Sequence, residues 1–243
     1  MKNVPAMFKL AIFSLLILLQ GCGSPKPYYM SLADFTSIKE LPYDSPPQVI
    51  YRIDDHRFVT LEKYRDCHHG EAFYNDTSSG IRKKIGRGKI ENYQGRLINA
   101  DPTGMSVVLP LSYPHLISCG DRGCAVYLLY STDGGRKFAV LNYMPHSFSP
   151  FKDTKEYTII ITKDMLYVGD DGGDENGDLY VKEYPLHRQD DPSDPRSRGK
   201  DLVTFMASTR PGFLSKFRTP SGQDRIQCDA SIKPTNPNVR LAP

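Results

Sequence analysis

The sequence predicts an all-β protein whose antiparallel hairpins form a single propeller-like or sandwich-like domain. Three observations carry that expectation. Short runs of β-branched and aromatic residues recur along the chain, bounded by Asp, Asn and Gly turn residues. The 243 residues include 19 Gly, 19 Pro and 15 Tyr but no Trp, a composition suited to many turns and short strands. No segment repeats apolar residues at helical spacing over three turns. No internal repeat of fixed period appears either, so the choice between a small propeller and a sandwich stays open.

The front of the chain is a separate matter. Lys2 and Lys9 precede the run Leu10 to Leu19, apolar except for Ser14, and Gln20-Gly21-Cys22 follows. A transmembrane helix needs roughly 20 apolar residues, so this run is too short to span a bilayer. Positive start, short apolar middle and small residues at the end describe a secretory signal peptide. Leu19-Gln20-Gly21-Cys22 resembles the lipobox of bacterial lipoproteins, which implies an acylated Cys22 as the first mature residue. Gly23 stands where inner-membrane retention usually shows Asp, so the resemblance implies the outer membrane, facing the periplasm. The expected organisation is a signal over 1–21, a lipidated Cys and Pro-rich tether over 22–47, a β domain over 48–228 and a tail over 229–243. The tail is expected to be pinned only through Cys228.

From Gln48 the strands follow in order. Val49–Ile53 and Arg57–Leu61 form a hairpin turning at Asp54-Asp55-His56. Ala72–Tyr74 leads to a turn at Asn75-Asp76. The basic segment Arg82 to Lys89 reads as a solvated loop or edge strand. Ser106–Leu109, Ala125–Tyr130 and Ala139–Tyr143 come next. Tyr157–Thr162 turns at Lys163-Asp164 into Met165–Val168, Leu179–Tyr184 follows, and Leu202–Met206 reads as one more strand or a short helix.

Four cysteines remain besides Cys22, and an even number in an oxidising compartment points to two disulfides with three possible pairings. Cys119 and Cys124 flank Gly120-Asp121-Arg122-Gly123, a good hairpin turn that can bring the sulfurs within bridging distance. This favours Cys119–Cys124 and leaves Cys67–Cys228 to tie an early strand to the tail.

Ser131, Asp133, Gly135 and Phe138 resemble the Asp-box, S-x-D-x-G-x-x-W/F. The resemblance implies a structural hairpin turn, in which the carboxylate accepts backbone N–H bonds and the aromatic ring packs beneath. The acidic loop Gly169 to Asp178 invites a calcium assignment, since Asp174, Asn176 and Asp178 match half of D-x-[DN]-x-[DN]-G. Leu179 and Pro185 then stand where Gly and the distal Glu should be, so no metal is assigned.

Catalytic motifs are missing from the pattern. His68-His69 beside Cys67 would point to opposite faces of a strand and so make a poor metal pair. No G-x-S-x-G nucleophile elbow occurs. The 1–21 segment holds two of the 31 basic residues and none of the 28 acidic ones, leaving a nearly neutral mature chain with no nucleic-acid signature. The expectation is a non-enzymatic protein with no cofactor.

Taken together, the lipobox, Val49 to Phe58 (VIYRIDDHRF), the Cys67-x-x-Gly70 step and the Asp-box hairpin are similar to the immunity lipoproteins that neutralise type VI secretion phospholipase effectors. The resemblance implies membrane anchoring and direct binding of a cognate secreted phospholipase. The best candidates for that contact are Asp170, Asp171, Asp174 and Glu175. The alternative is an envelope carbohydrate-binding lipoprotein or glycosidase with a sialidase-like β fold, for which Tyr-rich strands could stack sugars.

Overall fold

The computed structural model describes residues 43–86, 88–115, 117–172, 178–186 and 203–236. Cys22, the lipobox and the tether up to residue 42 lie outside these residues, as do Asp174 and Glu175. The strands are β1 (Gln48–Arg52), β2 (Arg57–Asp66), β3 (His69–Asp76), β4 (Ile81–Lys84), β5 (Arg96–Asn99), β6 (Val107–Pro110), β7 (Cys124–Ser131), β8 (Ala139–Ser147), β9 (Tyr157–Ile161), β10 (Met165–Asp170), β11 (Tyr180–Pro185) and β12 (Val203–Met206). One helical turn, α1 (Pro150–Asp153), joins β8 to β9.

The described strands form three open sheets, ordered β1-β2-β3-β4, β6-β7-β8 and β12-β11-β10-β9-β5. All pairings are antiparallel except β5 with β9. The fold is therefore all-β and hairpin-built, as the composition and turn spacing imply, with one parallel edge. Sequence reading passes over β5, because four residues, Arg-Leu-Ile-Asn, carry too little pattern to separate a strand from a loop. Asn99 shows why β5 matters. Its side chain donates to the Val108 carbonyl at 3.1 Å and accepts from the Val108 amide at 2.8 Å. It thus replaces a strand neighbour and couples the five-stranded sheet to the three-stranded one.

The three sheets meet in one core. Ile50, Tyr51, Val59 and Leu61 from the first sheet pack with Val108, Leu128 and Tyr143 from the second and with Leu97, Ile159 and Ile161 from the third. Strand periodicity then decides the rest of the third sheet. Ile98 and Ile160, alternating with those residues, face a second cluster with Val181 and Phe213. Burial on both faces explains why β9 reads as an unbroken apolar run.

The tyrosines supply the core's large volumes and tie its parts together. Tyr51 donates to the Leu97 carbonyl at 3.0 Å, Tyr64 to the Pro46 carbonyl at 2.8 Å, Tyr93 to the Tyr157 carbonyl at 3.0 Å and Tyr143 to the Leu111 carbonyl at 2.8 Å. A phenol can fill a core and satisfy a backbone carbonyl between elements. Burial raises the pKa values of Tyr51, Tyr93 and Tyr143, that of Tyr51 to about 12, so these three phenols stay neutral donors.

Cys67 and Cys228 are joined by a disulfide with a Cα–Cα distance of 5.8 Å, and Cys119 and Cys124 by one of 5.2 Å. The expectation that the tail hangs from Cys228 alone is corrected. Beyond it, the Asp229 amide donates to Gln48 at 2.8 Å and the Thr235 amide to Asp44 at 2.8 Å. Before it, Ser221 and Gln227 donate to the carbonyls of Ile53 and Ile50 at 2.9 and 2.8 Å. The C-terminal stretch so covers the outer edge of β1, protecting an edge strand that sequence pattern alone leaves exposed.

Candidate functional site

The acidic end of the third sheet gathers three carboxylates. Asp170 closes β10 and pairs across the ladder with Tyr157, which places it beside Glu156, the residue that immediately precedes β9. One oxygen from each of Glu156, Asp170 and Asp171 lies within 4.8 Å of the others. The Asp171 amide donates to the Glu156 carbonyl at 3.1 Å, and the Gly172 amide to Asp170 Oδ1 at 2.9 Å. Burial raises the Glu156 pKa, and the charges of Asp171, Asp153 and Asp170 raise it further. The Tyr157 phenol is raised as well, first by burial and then by Asp170. The result is a half-buried patch of concentrated negative potential. Asp170 and Asp171 stand together there, whereas Asp174 and Glu175 fall outside the described residues. Asp178, the remaining described member of the half-matched calcium pattern, is committed to Ser208, accepting from its amide at 3.0 Å and its hydroxyl at 2.5 Å.

The turn from Ser131 to Phe138 is a closed local structure. Ser131 Oγ accepts from the amides of Asp133 and Gly135 at 3.2 and 2.8 Å and donates to Asp133 Oδ1 at 2.8 Å. That same carboxylate oxygen accepts from the Lys137 amide at 2.9 Å. Gly135 has φ +89°, and a Cβ there would lie 2.3 Å from Tyr74 Cε1. Phe138 meets Tyr74 edge-on at 5.8 Å. The Ser131 hydroxyl and one Asp133 oxygen are engaged within the hairpin, and Gly135 and Phe138 pack on Tyr74, so the turn positions the β7–β8 ribbon against β3.

The basic segment is largely spent within its own sheet. Arg82 on edge strand β4 grips Glu62 through two bonds of 2.9 Å and lies 4.0 Å over the Phe73 ring. Lys84 donates to Glu71 at 2.6 Å. The two adjacent histidines diverge. His68 Nδ1 is 2.9 Å from Asn92 Oδ1 with its ring edge-on to Phe151, and His69 Nδ1 is 2.7 Å from Asp66 Oδ1.

Two features escape sequence reading. Glu91 is a carboxylate with no exposed side-chain surface, 3.5 Å from the Lys89 ammonium. Arg96 and Arg218, 122 positions apart in the chain, line one cavity. Neither carries a motif, since each depends on partners brought in by the fold.

A family model described as T6SS Tli3 immunity protein matches residues 43–170. No curated protein matches the chain.

Proposed function

The chain belongs to the T6SS Tli3 immunity protein family, and from that premise we propose that it is a lipid-anchored envelope protein that binds and blocks a cognate type VI phospholipase effector. The observation that carries the reading is the family match across β1 to β10, the part of the chain that holds most of the shared core and ends at Asp170. A domain of this kind acts by occupying its partner. A standard-size interface needs about 800 Å² from each side, with charge complementarity setting register and on-rate. Asp170, Asp171, Asp174 and Glu175 are the proposed specificity patch, directed at a basic surface on the effector.

The anchor belongs to the same proposal. Acylation at Cys22 would hold the domain at the membrane surface where a phospholipase meets its substrate, with about 0.8 kcal/mol of anchoring per buried methylene. Cells that export the effector to their own periplasm test this directly. The full chain is expected to restore growth, and Cys22→Ala to protect less while the purified variant binds the effector as well as wild type. Failure of the wild-type chain to protect would overturn the immunity role. Full protection by an exported, unlipidated form would overturn the role of the anchor alone.

A further inference from the structure

The third sheet carries a second charged feature, of opposite sign to the acidic patch and close to it in the strand register. Arg96 on β5 stands opposite Thr158, one position beyond the Tyr157 that pairs with Asp170. Arg96 side-chain Nε donates to Asp224 Oδ2 at 3.1 Å, and no described residue pairs with its two terminal nitrogens. A cavity of about 260 Å³ opens beside it, lined by Arg96, Arg218, Ile98, Leu214 and Phe217 among others. Arg218 is exposed and has no ionic partner among the described residues. Two guanidinium groups thus stand in this lining against the single carboxylate of Asp224. A chain that is nearly neutral as a whole is therefore locally basic here.

The walls are preorganised. Phe217 packs against Tyr167 and Phe213 with ring centroids 5.5 and 5.4 Å apart. Thr219, next to Arg218, is held by Tyr51 at 3.1 Å and by the Asn99 amide at 3.3 Å. Asp224 fixes the Arg96 guanidinium while its own backbone is tied to β5, where the Leu97 amide donates to the Asp224 carbonyl at 2.8 Å. Rigid walls spare a ligand the entropic cost of ordering them. A planar guanidinium with free terminal nitrogens matches a carboxylate, and the apolar walls match a short methylene stem.

We propose that this cavity receives an Asp or Glu side chain of the cognate effector, with Arg96 and Arg218 holding the carboxylate and Ile98, Leu214 and Phe217 covering its stem. The inference rests on the immunity reading above. It favours a protein side chain over a phospholipid because the cavity suits one small acid and its apolar wall is the rim of the second core, too short to accept acyl chains. The cavity also joins β5, inside the family-matched residues, to Leu214–Asp224, outside them. That places a specificity contact partly in this chain's own C-terminal stretch.

The test uses the complete mature chain and the cognate phospholipase effector proposed above, with affinity measured by titration calorimetry at low and high salt. Arg218→Glu is expected to weaken binding about tenfold or more, with the larger loss at low salt. Arg218→Lys, which keeps the charge and loses the fork, should recover part of it, with the thermal midpoint unchanged in both. Binding by Arg218→Glu equal to wild type would overturn the cavity's role and leave the immunity reading intact. Absence of binding by wild type would overturn both. Loss of binding to phosphatidylglycerol vesicles by Arg218→Glu, with effector affinity unchanged, would reassign the cavity to lipid phosphate and overturn the proposal.

Discussion

Glu91 is the residue whose environment departs furthest from what its chemistry prefers. It sits in the 3-10 turn Ile90–Asn92, and neither carboxylate oxygen accepts a hydrogen bond among the described residues. Burial raises its pKa, and the backbone amides of Glu91 and Gly70 together with the Lys89 charge only partly oppose that. A carboxyl group raised on folding contributes fully when it is protonated in both states, below its unfolded value of about 4.3. Its contribution declines as pH climbs from there toward the folded value, because the unfolded chain releases that proton while the buried carboxyl still holds it, and above the folded value the protein carries an unfavourable buried charge. Glu91→Gln is expected to stabilise the protein by about 1 kcal/mol near neutral pH, since a buried charge without hydrogen bonds is the costlier group. The gain should vanish as pH approaches about 4. Urea unfolding of both proteins across that range measures it, and a gain that grew on acidification would contradict the assignment. Asp66 runs the other way. Burial raises its pKa, but bonds from His69, the His68 amide and Arg65 outweigh it and hold the carboxyl at about 2. Its contribution is present above the unfolded value and is lost as pH falls toward that figure.

The two disulfides staple very different lengths of chain. Cys67–Cys228 spans 161 positions and Cys119–Cys124 spans 5. In the chain-entropy treatment the long closure is worth about 5 kcal/mol and the short one about 2 kcal/mol. Cys67→Ser with Cys228→Ser should therefore lower the urea midpoint far more than Cys119→Ser with Cys124→Ser. The reverse order would mean that the C-terminal stretch is held chiefly by its backbone bonds to β1. Those bonds are numerous enough to make the comparison informative, since Ser221, Gln223 and Gln227 all engage Ile50, Arg52 or Ile53. Strand β5 occupies a similar position. Its carbonyls and amides are claimed by Tyr51, Asp224 and β9, and its Asn99 by β6, so a four-residue strand holds two sheets and the C-terminal stretch together.

Hairpins were readable because their signals are local. Asp54 accepting from the amides of His56 and Arg57 at 2.9 and 2.7 Å is a turn written in three adjacent residues. The apolar run of β9 and the Gly-rich turn at 134–135 announce themselves in the same way. The parallel edge at β5, the burial of Glu91 and the Arg96–Arg218 cavity were not readable, because each is created by residues far apart in the chain. The candidate site divides along that line. Asp170 and Asp171 of its acidic half are adjacent in the sequence, whereas Glu156 joins them only across the β9–β10 ladder and the basic half exists only once β5 meets the C-terminal turns. A binding protein whose two charged features flank one sheet end should grip its partner in a fixed register. The direct measurement is effector phospholipase activity on phosphatidylglycerol vesicles, titrated with the purified mature chain. Activity that falls linearly and ends at one equivalent is the expected result. Activity undiminished in excess of the protein, with no complex on size-exclusion chromatography, would contradict it.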